Sequence, residues 1–425
     1  MADFIVHIDQ NKYLSTDGRE VHAVLTVSST GTVTAEAARA EAAEIIIVDV
    51  SGSMGGSKIR EARAAASAAV DALRDGAHFA VIAGNQDAVV VYPRGERLAT
   101  SDPRTRKEAK EAVKRLSAGG GTNMGVWLGL AEKVFRQRPE AIKHAILMTD
   151  GQNNETDRAF DRALKACEGA FVCDSLGVGD DWVPAQLRKV AEALLGTFDF
   201  VRDQADLSAY FRDLTQQSMG KTVAELSLRV WAPQSGRVRF VKQVSPVLMD
   251  LTGKRTDVNP LTGDYPTGSW GTEEREYHVC VELDRPGQVG QEIRAGWVKL
   301  VRPDTQEVFA TGNVLAQWTD DLAMSTRLNQ KVAHYTGQAE LHELIQEGLG
   351  ARAAGDDATA TARLAKAMEI AVESGREDTA RLLDKVVEID SGGTARLRRG
   401  VDKADEIELD TGSVRTSRLR GSEEG

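Results

Sequence analysis

Three short stretches carry the residues best suited to chemistry. Asp49-Val50-Ser51-Gly52-Ser53 offers one carboxylate and two hydroxyls on a tight glycine-containing turn. Gly119-Gly120-Gly121-Thr122-Asn123 can turn the Thr122 hydroxyl outward on a flexible loop. Thr149-Asp150-Gly151 supplies a second carboxylate. All of these are hard oxygen donors, which suit Mg²⁺ or Mn²⁺ and not soft metals. Two carboxylates with neutral hydroxyls would leave a divalent ion electrophilic, with room for an external carboxylate. Taken singly, each stretch has a plain structural reading, because Ser caps helices and Asp-Gly makes turns. Their joint order along the chain is what makes them specific.

The elements that must position these residues follow from pattern. Ile45–Val50 is a continuous apolar run, as expected of a strand buried on both faces. An Ala-rich helix is predicted over Ser57–Leu73, and Lys143–Thr149 reads as a further strand. Strands and helices alternate through residues 42–219, the pattern of a mostly parallel α/β sheet covered on both faces. Such sheets place ligands at the carboxyl ends of their strands, where Asp49 and Asp150 fall.

On these residues, DVSGS, GGGTNMG and MTDGQNN resemble the three loops of a von Willebrand factor A domain with an intact metal-ion-dependent adhesion site. The resemblance implies a doubly wound, Rossmann-like domain over 42–219. It carries metal-ligand roles onto Asp49, Ser51, Ser53, Thr122 and Asp150. It implies Mg²⁺ (or Mn²⁺) as cofactor and a partner protein offering an Asp or Glu to the metal. Intracellular relatives assist ATPase, chelatase or kinase–phosphatase systems, so a partner from one of these classes is expected.

The flanking segments change character. Strand-like stretches in residues 1–41 and 220–318 predict a β-sandwich in two parts, with the α/β domain inserted between them. Residues 319–389 carry apolar residues three and four apart, as in a helical bundle. They are loosely like tetratricopeptide hairpins but lack the clean period of about 34 residues. Residues 390–425 read as a flexible polar tail. In it, Thr411 and Thr416 are candidate phosphorylation sites for an arginine-lined reader such as a forkhead-associated domain.

Composition narrows the function classes. The 425 residues are 41% hydrophobic and 28% charged, and the net charge of −11 argues against a general nucleic-acid binder. No apolar run reaches the roughly 18–20 residues of a membrane span. The N-terminal stretch MADFIVHIDQ shows no secretory pattern. Cys167, Cys173 and Cys280 form no CxxC pair and read as free thiols in a cytoplasmic, bacterial-type protein. The seven histidines are scattered, so no zinc site is expected. The leading expectation is a non-enzymatic, metal-dependent protein-interaction module. The alternatives are an Mg²⁺-dependent phosphoryl-transfer or hydrolase enzyme, which lacks a P-loop and a nearby general base, and an extracellular adhesin.

Overall fold

The run Ala42–Asp49 is buried at every position and lies at the centre of a sheet. In the computed structural model, which describes residues 4–30, 40–179, 181–390 and 395–419, the sheet order is Phe198–Val201, Val172–Val178, Ile142–Thr149, Ala42–Asp49, His78–Gly84 and Ala88–Tyr92. The pairs are parallel up to His78–Gly84, and Ala88–Tyr92 closes that edge antiparallel. After Ala42–Asp49 the chain first builds outward on one side, then returns to build on the other. The strand order therefore reverses between Ala42–Asp49 and Ile142–Thr149, opening a crevice beyond their carboxyl ends. The helix Ser57–Ala72 buries Ile59, Ala62, Ala66, Ala69 and Val70. Its small side chains let it lie close on the sheet within one apolar core.

At the opposite end of these strands, three adjacent positions carry charge. His144 Nδ1 lies 2.8 Å from Glu44 Oε1, and its Nε2 lies 2.9 Å from Asp174 Oδ2. Thr197 donates to Asp174, and Ser218 donates to the other Glu44 oxygen. Burial works against the imidazolium, but Glu44 and Asp174 outweigh it and push the His144 pKa up to about 10. The network is a fully partnered buried ion cluster.

The chain forms two compact units. One comprises residues 33–224 with 268–271; the other comprises residues up to 32, 225–267, and 272 onward. The second unit contains two sheets. In the first, Glu20–Ser29 pairs antiparallel with both Phe4–Gln10 and Glu274–Leu283, and Gly236–Ser245 and Met249–Asp250 follow. The other runs Thr256–Asn259, Thr262–Trp270, Val223–Trp231, Glu292–Arg302, Glu307–Trp318 and Tyr13–Leu14. Phe4 meets Phe309 edge-on at 5.3 Å between the sheets. The strands Thr256–Asn259 and Thr262–Trp270 escape the sequence reading because Asn259-Pro260 and Pro266 look like turns.

The helical region packs onto the first of these sheets. Val332 and Tyr335, on the helix Gln330–Ala353, bury against Val24 and Val244. The helix Asp357–Glu373 lies beside it. Two expectations need correction here. The helical bundle expected to run to 389 ends its helix Glu377–Asp384 early, and Val387–Ile389 pairs in a hairpin with Ala395–Leu397. The expected flexible tail instead forms a helix, Lys403–Ser413, capped by Asp402. Ala404, Ile407 and Thr411 recur at helical spacing and are buried, and Leu409 joins the helical core. Thr411 is 3% exposed and its hydroxyl donates to Ile407 O, so it is not an accessible phosphorylation site. The Thr416 hydroxyl donates to Pro246 O.

Candidate metal centre

Asp49 ends the central strand and is fully buried. Its Oδ1 accepts the Ser51 backbone N–H at 2.7 Å, and its Oδ2 accepts the Thr149 hydroxyl at 2.5 Å. Burial pushes its carboxyl up to about 6 against these hydrogen bonds, and Asp150 repels it further. Asp150 is also fully buried. It accepts Ser53 Oγ at 2.6 Å and the Lys58 ammonium at 2.6 Å. The Ser53 proton is committed to Asp150, so Ser51 is the donor in the 2.9 Å Ser51–Ser53 contact.

The glycine-rich loop joins the same site. Gly52 N donates to Gly120 O, and Gly119 N donates to Val50 O. Gly120 has φ +91°, a left-handed conformation that side chains rarely adopt. Residues after Asp150 hold the loop from the other side. Thr122 N donates to Asn154 Oδ1 at 2.7 Å, Met124 N to Asn153 Oδ1 at 3.0 Å, and Gly125 N to Glu155 Oε2 at 2.6 Å. These three side chains cap the helix Met124–Phe135, whose own N-cap residue, Asn123, makes no side-chain cap.

The structure thus brings Asp49, Ser51, Ser53, Thr122 and Asp150 to one edge of one sheet. Their convergence has a measure. A methyl group added to Gly151 would lie 3.1 Å from Thr122 Oγ1, 3.3 Å from Ser53 Oγ and 3.9 Å from Asp49 Oδ2. Oxygens from the first two loops therefore surround one small cradle at Gly151 of the third. Its charge balance also suits a divalent cation: two buried carboxylates face one ammonium, that of Lys58. The donor set is oxygen throughout, which fits a hard ion.

Sequence reasoning missed Lys58, Thr149 and the Asn153–Glu155 clamp. Burial works against the Lys58 ammonium, but Asp150 and Asp181 outweigh it and raise its pKa. No local signal marks Lys58, which is the second residue of an ordinary helix. Asn153 and Asn154, in contrast, stand beside Asp150 in the MTDGQNN stretch and were open to a capping reading.

Comparison with known proteins agrees with this architecture. Residues 43–200 match the von Willebrand factor type A domain, and residues 369–413 match the von Willebrand factor type A C-terminal domain. The second match runs across the boundary expected at 390 and covers the whole helix Lys403–Ser413. A von Willebrand factor type A structure from Catenulispora acidiphila is 51% identical, with 98% of each chain covered and a TM-score of 0.94. The ArnB paralog VWA2 from Sulfolobus acidocaldarius covers 99% of this chain and all of its own at 16% identity and a TM-score of 0.58, a likeness of fold alone. An uncharacterized protein of Synechocystis sp. is 32% identical over 217 residues; the match takes in 49% of this chain and about half the length of that relative. With an end-to-end match at this identity, and with its sheet reversing beneath three joined loops, the chain belongs to the von Willebrand factor type A family.

Proposed function

We propose that this chain is a non-enzymatic, metal-dependent protein-interaction module, built on an intact metal-ion-dependent adhesion site. One observation carries the reading: oxygens of Asp49 and Ser53 from the first loop and of Thr122 from the second surround the cradle at Gly151 of the third. Ser51, Ser53 and Thr122 would hold Mg²⁺ or Mn²⁺ through their hydroxyls, with Asp49 and Asp150 supplying negative charge. The bound ion would supply an electrophilic position for a carboxylate from a partner's Asp or Glu. Around it, the protein's own residues do the positioning. Thr149 orients Asp49, Lys58 holds Asp150, and the Asn153–Glu155 clamp fixes the height of Thr122.

A catalytic role is disfavoured by the side chains at hand. The three loops contain no histidine that could deprotonate Ser51 or Ser53. We place the module in a cytoplasmic, bacterial-type assembly, with a partner of the ATPase or kinase–phosphatase class. In support, no described helix is long and apolar enough to cross a membrane, and the three cysteines are free. The test is capture of partners from native extract by the full chain, with Mg²⁺ and with EDTA, beside Asp49→Ala. Specific partners retained only by wild type with metal support the reading. Equal capture by both proteins and under both conditions overturns it.

A further inference from the structure

The sheet of the second unit carries a different donor set, unconnected with the oxygen cradle. Glu20 and His22 sit two residues apart on the strand Glu20–Ser29, so their side chains share a face. Cys280 is the register partner of His22 on the neighbouring strand, and His278 lies two residues before it. The His22 Nε2 atom is 3.4 Å from Glu20 Oε2 and 3.9 Å from Cys280 Sγ. All three donor atoms lie within 4.8 Å of one another. In a tetrahedral zinc site, ligand atoms are separated by about 3.6 Å for sulfur and nitrogen and about 3.4 Å for nitrogen and oxygen. The observed spacings already approach those edges. We propose that Glu20, His22 and Cys280 form a zinc-binding site, with His278 as the group that orients His22.

Each residue has a distinct task. Cys280 is fully buried and supplies the thiolate. Zn²⁺ must displace the thiol proton, which leaves to solvent as the Zn–S bond forms. His22 Nδ1 is 3.1 Å from His278 Nε2. With Nδ1–H given to His278 Nε2, the Nε2 lone pair of His22 is aimed at Cys280 and Glu20. Glu20 turns its Oε1 to Arg239 and its Oε2 to His22, so one carboxylate oxygen remains for the ion. The Glu20 side chain is 39% exposed, which gives an entry path and room for water in a fourth position. The edge of Phe240 against His278, with ring centroids 4.9 Å apart, closes the inner wall.

The donor types separate this site from the cradle of the α/β unit. A thiolate and an imidazole favour zinc over Mg²⁺, whereas five hard oxygens do not. The readout can therefore be sulfur itself. Full-length protein titrated with Co²⁺, a spectroscopic substitute for zinc, should develop a thiolate-to-cobalt charge-transfer band that Zn²⁺ abolishes. The band should persist in Asp49→Ala and vanish in Cys280→Ser and in His22→Gln. His278→Phe should weaken zinc binding by about 10- to 100-fold, the usual loss for an orienting partner. X-ray absorption of the zinc-loaded wild-type chain needs no variant and should show one sulfur at about 2.3 Å. A first shell of nitrogen and oxygen alone, or a cobalt band that survives Cys280→Ser, would overturn the proposal.

Discussion

Asp49 illustrates how one side chain serves both fold and site. It is buried, yet every hydrogen bond it accepts comes from a group that also shapes the metal cradle. Asp49→Ala is expected to abolish Mg²⁺ binding in calorimetry; unchanged binding would remove the cradle as the metal centre. Gly151→Ala tests the same geometry by addition. Its methyl would stand 3.1 Å from Thr122 Oγ1, and binding should weaken by about tenfold, or ~1.4 kcal/mol. Lys58 acts in the opposite sense. Its ammonium satisfies Asp150 at 2.6 Å, so it competes with a cation for that charge. Lys58→Met should tighten Mn²⁺ binding, and a loss of affinity would show that Lys58 serves mainly to position Asp150. The five candidate ligands were legible in the sequence because each stands in a short local motif. Lys58 was not, because its role exists only once the helix Ser57–Ala72 is docked over Asp150.

Elements show what local pattern can hide. The buried Glu44–His144–Asp174 cluster spans three strands that are far apart in sequence. The His144 pKa rises from 6.5 to about 10 in the folded chain. A raised folded value means the stabilisation is complete below the unfolded value and is lost as pH climbs through the folded one. Asp174 is held low by His144 and Thr197 despite burial, so its share is lost only in acid. The denaturant midpoint of the α/β unit should therefore fall between about pH 6.5 and pH 10. His144→Leu should flatten that dependence and cost about 3–5 kcal/mol, because it strands two buried carboxylates. A pH profile unchanged by the substitution would refute the assignment. The C-terminal helix makes a parallel point. Lys403–Ser413 is acidic and polar in composition, yet Ala404, Ile407 and Thr411 form its buried stripe. Thr411→Asp, which buries an unpaired charge, should destabilise the second unit by about 2–4 kcal/mol. A neutral result in chemical denaturation would mean that the helix is not packed as described.

The whole molecule is one chain threaded through two cores. The strand Glu20–Ser29 lies between Phe4–Gln10 and Glu274–Leu283, so the sheet of the second unit cannot close without residues from before the α/β unit. A chain starting at Glu41 should lose the cooperative transition of that unit while the α/β unit still melts. If both transitions remain, the early strands are dispensable. The metal stands in a different relation to stability. The core around Ile46, Val48, Ile146 and Met148 is apolar and continuous without any ion. EDTA should leave the circular dichroism spectrum largely unchanged while abolishing partner capture.

The sequence alone determined the α/β unit, because a buried parallel strand must be apolar throughout and its ligand loops are local, recognisable runs. It also determined that both ends of the β region carry strands, since alternation and turn residues are short-range signals. Tertiary structure alone decided where the C-terminal segment goes. A stripe of three small or branched residues in an acidic helix has meaning only against the core that receives it. It also decided the second donor cluster. His22 and Cys280 stand 258 positions apart, and scattered His and Cys gave the sequence reading no zinc site. The register of two antiparallel strands brings them side by side, and register is set by long-range pairing that no local pattern encodes.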